Sequence, residues 1–227
     1  MLPFVSILTP TANRRRFIPQ LLRNYRRQDY PAHRMELVVL DDGDDRVEDL
    51  LQGQPGVRYL RREDRLALGH KRNLLTEAAL GDILVHMDDD DYYPPRRVSD
   101  AVARLSRSEA QIAGSSLMYV YDCLRNKVFQ MGPFGPNHAT NGTFAYKRAY
   151  LAENRFDDAA IIRDEALFTR DFSQPMVQLD ARSAILCIAH AQNTYTKHLI
   201  HEAPFKLKEL VKCPESLRFY RYNAGKA

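Results

Sequence analysis

Ile83-Leu84-Val85-His86-Met87-Asp88-Asp89-Asp90-Asp91 is the stretch that decides how this chain is read. Four like charges in a row repel one another, so the run needs a reason. The apolar residues before it predict a buried strand, and Tyr92-Tyr93-Pro94-Pro95 after it ends that strand. The carboxylates then stand at the strand's C-terminal end, the edge at which open α/β sheets bind ligands. Gathered there, they suit a hard divalent cation, and such a cation suits a diphosphate. The plainer alternative is a solvated acidic loop. The buried strand before the run and the Pro-Pro stop after it favour a site.

The same pattern repeats on the N-terminal side. Phe4 to Leu8 reads as a buried strand ended by Thr9-Pro10-Thr11, and Met35 to Leu40 as a second, ended by Asp41-Asp42-Gly43. Val57 to Leu60 is a short third strand, and the aspartate run follows the fourth. Helical spacing fills the intervals over Arg16 to Arg27, Val47 to Leu51, Leu68 to about Ala79 and Pro95 to Arg107. Strands alternating with helices imply a mostly parallel sheet covered on both faces. Parallel strands bring Thr9, Thr11, Asp41 and Asp88 to Asp91 to one edge, where they converge on one crevice.

Later segments read less regularly. Ile112 to Tyr121, Lys127 to Gln130, Phe144 to Lys147, Met176 to Leu179 and Ala184 to Ala189 are expected as sheet segments. Arg148 to Glu153, Asp164 to Phe172 and Ala203 to Val211 are expected as helices. With no linker in view, the chain is expected to be one domain, with a first half at 1–115 and a second at 116–227.

Bulk properties narrow the classes. Lys plus Arg number 33 against 29 for Asp plus Glu, so the net charge is only +4, and the basic pairs are interleaved with acids. Duplex nucleic acid would favour a broader one-sign face, whereas a small anionic ligand fits this balance. The cysteines at 123, 187 and 213 have no Cys-x-x-Cys spacing, which argues against a zinc knuckle or a disulfide framework and suits a reducing compartment. No stretch approaches the ~18 apolar residues of a membrane span. The opening Met-Leu-Pro-Phe-Val-Ser runs straight into a strand, so a signal peptide is not expected and a cytoplasmic location is.

Taken together, Phe4 to Thr11, Val38 to Gly43, Gly69 to Asn73 and Val85 to Asp91 resemble, in order and spacing, the nucleotide half of GT-A (Rossmann-like) glycosyltransferases of family 2. The resemblance is strong over roughly residues 3 to 100 and looser beyond. It implies that Thr9 and Thr11 border the base, that Asp41 accepts a hydrogen bond from it (typically uracil), and that Arg72 reaches the base or ribose. It implies that Asp88 or Asp89 meets the ribose and that Asp90, with Asp88, binds Mn2+ or Mg2+. The alternative for Asp41 is a turn-forming aspartate before Gly43.

In the second half, Asn141 to Lys147 resembles the segment that lines the acceptor side. Arg163-Asp164-Glu165-Ala166 is similar to the family's acidic pair, which supplies the catalytic base of inverting members; the family reads Glu-Asp where this chain reads Asp-Glu. Both Asp164 and Glu165 stay open, Asp164 ahead. An acidic helix N-terminus is the structural alternative. His190 ends a strand and is a further candidate metal ligand. The chain lacks tryptophan, and with it the Gln-x-x-Arg-Trp of processive synthases. The implied function is metal-dependent, inverting, non-processive transfer of a sugar, UDP-sugars favoured, to a glycan, protein or lipid acceptor. The alternatives are a sugar nucleotidyltransferase, whose glycine-rich loop is missing after the first strand, and an inactive module that only binds the nucleotide-sugar.

Overall fold

The computed structural model describes residues 1–161, 165–191, 193 and 201–222. The first half alternates β1 (Val5–Thr11), α1 (Ile18–Arg26), β2 (Met35–Asp41), α2 (Glu48–Leu51), β3 (Val57–Arg61), α3 (Leu68–Ala78), β4 (Ile83–His86) and α4 (Arg97–Ser106). Then come β5 (Ile112–Gly114), β6 (Met118–Asp122), β7 (Lys127–Met131), β8 (Ala145–Lys147), α5 (Glu165–Phe168) and β9 (Met176–Gln178). The last elements are α6 (Ala181–Ala184), β10 (Leu186–Ala189), β11 (His201–Glu202), α7 (Leu207–Leu210) and α8 (Pro214–Tyr222).

The main sheet has the order β3-β2-β1-β4-β8-β5-β9. β1 runs parallel to both β2 and β4, and β2 parallel to β3, while β8 is antiparallel to its two neighbours. This is the mostly parallel α/β sheet the sequence predicts. Both faces are covered because the strands are apolar on both. Ile7, Val39 and Val85 pack on one side with Leu21 of α1 and Val98 and Leu105 of α4. Leu8, Val38 and Leu84 pack on the other with Leu75 of α3, Tyr146 and Phe168. Continuous apolar runs of this kind are what a doubly covered sheet requires.

Register sets the functional edge. Thr11 stands opposite Asp41, and Leu8 opposite His86. The acidic run after β4 therefore continues alongside the last residues of β1. Thr9 Oγ1 donates to the Met87 carbonyl at 2.7 Å, and Thr11 Oγ1 to Asp89 Oδ2 at 2.5 Å.

The later chain departs from the sequence reading in three places. The run from Ile112 to Tyr121 is two strands in two sheets, β5 in the main sheet and β6 in a second of order β10-β6-β7-β11. The break is at Ser115 and Ser116, whose amides are taken by Thr143 Oγ1 and Gln178 Oε1 instead of a ladder. The expected helix from Asp164 is described only as the single turn Glu165–Phe168, because Arg170, Asp171 and Phe172 have φ of 50–58°, which ends it. The last long helix is Pro214–Tyr222; Ala203 to Val211 supplies only the short α7. Helix α8 closes the second sheet, with Tyr220 packed among Phe17, Tyr121 and Ile188.

Candidate functional site

A cavity of about 580 Å³ opens at the carboxyl edge of the main sheet. That lies within the size range of small-molecule sites. Its wall has three regions. Pro10, Thr11 and Ala12 face Arg65, Leu68, Lys71 and Arg72 around the start of α3. The acidic run Asp88 to Asp91 forms the floor together with Arg14 and Asn193. Beyond it, Asn141, Gly142 and Glu165 give way to Met118, Phe134, His138 and Phe172. Both halves of the chain thus contribute to one crevice.

The four aspartates are not equivalent. Asp88 is the most open, its side chain 28% exposed, with Arg72 Nη2 3.5 Å away. Its amide donates to the Tyr93 hydroxyl at 2.8 Å, and that hydroxyl donates to the Gly142 carbonyl at 3.2 Å. A Cβ on Gly142 would lie 3.0 Å from Asp88 Oδ2, so only glycine leaves this carboxylate its room. Asp89 is buried against Thr11; burial first, then the charge of Asp90, pushes its carboxyl up to about 8. Asp90 Oδ2 accepts from Arg14 Nη1 at 2.8 Å and lies 3.1 Å from His190 Nε2. Asp91 accepts from the Ile188 amide at 2.7 Å, and its carbonyl accepts from Asn24 Nδ2 and the Tyr220 hydroxyl.

The remaining sequence candidates divide. Arg72 lines the cavity and is buried, held by His86 Nδ1 at 3.1 Å. Thr9 is buried behind Thr11 and does not line the cavity. Asp41 is also fully buried and off the cavity wall. Its carboxylate accepts from the amides of Gly43 and Val47, at 2.9 and 3.2 Å, and from the Tyr59 hydroxyl at 2.9 Å. His190 sits beneath Phe17, ring centroids 4.9 Å apart, and reaches Asp90. Glu165 lines the cavity, and its Oε1 accepts from the Asn141 amide at 3.2 Å. Asp164 lies outside the described residues.

The sequence reading did not single out Arg14, Lys71, Asn193 or His138. Arg14 was visible only as part of an Arg-Arg-Arg cluster, and its ion pair with Asp90 spans 76 residues. Lys71 stands next to a residue that was singled out. Among the described residues, no group of three or more His, Cys, Asp or Glu side chains could hold a metal ion. The Asp90–His190 pair, carboxylate and imidazole, is nonetheless a donor set that suits manganese. The two atoms are 3.1 Å apart, at hydrogen-bond distance, and Arg14 shares the same Asp90 oxygen.

The model of the family described as Glycosyl transferase family 2 matches residues 6–168. The chain belongs to that family. It is 25% identical over 163 residues to the putative colanic acid biosynthesis glycosyl transferase WcaA of Escherichia coli (strain K12), which covers 68% of this chain and 56% of that protein. Its fold is similar to that of S. aureus TarS 1-349 in complex with UDP-GlcNAc, TM-score 0.65 and 18% identity, over 83% of this chain and 59% of that one. It is similar too to the mannosyltransferase PcManGT from Pyrobaculum calidifontis in complex with GDP-Man and Mn2+, TM-score 0.66 and 18% identity, over 86% and 59%. The chain thus spans 56–59% of the length of these three proteins. Among the described residues of this family 2 chain, no helix is long and apolar enough to cross a membrane.

Proposed function

We propose that this chain transfers a sugar from a nucleotide diphosphate donor to an acceptor hydroxyl, with inversion at the anomeric carbon and with a divalent cation. The observation that carries the reading is the single cavity in which Thr11, Arg72 and Asp88 to Asp90 face Glu165. Asp90 and His190 would hold Mn2+ or Mg2+; Asp88, the third ligand the resemblance implies, does not group with them in this structure. Such an ion, when bound, neutralises charge on the departing diphosphate.

The other steps fall to side chains. Arg72, buried and fixed by His86, contributes a permanent positive charge beside Asp88. Glu165, or Asp164 next to it, takes the proton from the acceptor hydroxyl as its oxygen bonds to the anomeric carbon. The bond from that carbon to the phosphate oxygen breaks with its electron pair on the diphosphate. A base of this kind contributes about 10²–10⁴-fold. The acceptor enters past His138 and Phe172, on the side away from the basic wall. UDP-sugars are the favoured donors.

Thermal melting with a panel of nucleotide-sugars, with and without manganese, tests the reading. A donor bound to the native state raises the melting temperature, and manganese enlarges the rise. No rise with any donor overturns it. If Asp164→Asn and Glu165→Gln both leave turnover at the wild-type rate, the base is elsewhere.

A further inference from the structure

We propose that Lys71 reads the nucleobase and selects one with a keto oxygen on its reading edge, uracil or guanine, over one with an amino group there, cytosine or adenine. This rests on the nucleotide-sugar reading above. The starting point is the commitment of Asp41. Its two oxygens already accept three hydrogen bonds from protein groups, and it is off the cavity wall. A residue that does line the wall must read the base edge instead.

That wall holds Lys71. It is only 6% exposed, yet it lines the cavity. Its Nζ donates to Asp42 Oδ1 at 2.8 Å, and Arg65 reaches the same oxygen at 3.3 Å. The other Asp42 oxygen accepts from the Leu66 amide at 2.8 Å. Two cations therefore share one fully buried carboxylate, the buried Lys71 at 2.8 Å and the exposed Arg65 at 3.3 Å. Leu68 beside it and Pro10 and Ala12 across from it offer apolar surface for a flat ring.

The donor inventory then sets the preference. An ammonium has three N–H donors and no acceptor, and Asp42 takes one of them. The others can meet a keto oxygen. Against an exocyclic amino group they would meet donor to donor. Lysine recognises guanine O6 in nucleic acids for the same reason. Lys71 is the close, buried partner of Asp42, and Arg65 the exposed and more distant one. Burying an ammonium is costly, and one carboxylate returns that cost only in part; a ligand oxygen on its remaining donors makes up the rest.

Titration calorimetry of the whole chain with UDP, CDP, GDP and ADP in the presence of manganese tests the inference. The wild-type chain should bind UDP over CDP, and GDP over ADP, by about tenfold or more, the worth of a hydrogen bond to a charged donor. Lys71→Met should bring UDP down to CDP and GDP down to ADP while leaving the weaker pair unchanged. Should that variant fail to fold with Asp42 left only to Arg65 and the Leu66 amide, Asp42→Asn combined with Lys71→Met removes both charges and should give the same collapse. Equal binding of all four by the wild type, or an equal loss for all four in the variants, overturns the role of Lys71 and leaves nucleotide binding standing. Binding of none of the four overturns the nucleotide reading as well.

Discussion

His86 illustrates how one buried side chain prepares the site without entering it. Its Nδ1 faces Arg72 Nη1 at 3.1 Å and its Nε2 faces the Tyr146 hydroxyl at 3.0 Å. A guanidinium can only donate, so Nδ1 is the acceptor and the proton is on Nε2. Burial first, then the charges of Arg72 and Arg97, pushes the imidazole well below its usual range, so the ring stays neutral. Arg72 is thereby held at the cavity wall as a fixed donor. His86→Leu should cost about 1.5–3 kcal/mol of stability, read by urea unfolding, because a charged donor loses its buried acceptor. The pH dependence has a definite sign. The unfolded chain takes up a proton at about pH 6.5 that folded His86 refuses. Its contribution is fully present above that pH and is lost as the pH falls below it. The wild-type melting temperature should drop more steeply between pH 7 and pH 5 than that of His86→Asn; parallel profiles would remove His86 as the cause.

Between the elements, the site depends on the short 3-10 turn Asn141–Thr143 packed against the end of β4. Gly142→Ala would bring a methyl to 3.0 Å from Asp88 Oδ2 and 3.1 Å from Ile185 Cδ1. The carboxylate is the softer neighbour and should turn away. Nucleotide-sugar affinity should fall while the melting temperature changes little, and calorimetry beside thermal melting separates the two. How much of this was legible follows from the kind of signal involved. β2 and β4 are largely apolar runs followed by charge, so the functional edge could be read locally, but β1 runs on through Thr9-Pro10-Thr11, where the sequence placed its stop, because its pairing with β2 continues to Asp41. The division of Ile112 to Tyr121 could not, because it depends on Thr143 and Gln178 capturing the amides of Ser115 and Ser116. Helix α8 was missed because Arg218 and Arg221 mask its buried Ser216 and Tyr220 stripe. For Asp41 the turn-forming alternative was legible and is the one the Gly43 amide bears out; its two other partners were not, since Tyr59 arrives from β3 and Val47 from the loop before α2.

Across the whole molecule, the aspartate run divides between ligand and scaffold. Asp91 joins three distant segments. Its carboxylate takes the Ile188 amide of β10, and its carbonyl takes Asn24 of α1 and Tyr220 of α8. Asp90, one residue earlier, is bound on the cavity side by Arg14, with side chains 13% and 15% exposed, and by His190. The repulsion within the run is thus offset from two directions, by the fold at Asp91 and by the cation Arg14 at Asp90. Opposite consequences follow for two adjacent substitutions. Asp91→Ala leaves a buried amide without its acceptor and should lower stability by about 1–3 kcal/mol, while the rise in melting temperature on adding nucleotide-sugar and manganese persists. Asp90→Ala breaks a partly hydrated ion pair and should change ligand-free stability less, but it should abolish the manganese-dependent part of that rise. Melting curves of both variants, with and without each ligand, read the four quantities. If Asp91→Ala alone erased the manganese effect, the division would be reversed, and the cation would have to lie on the scaffold side of the run.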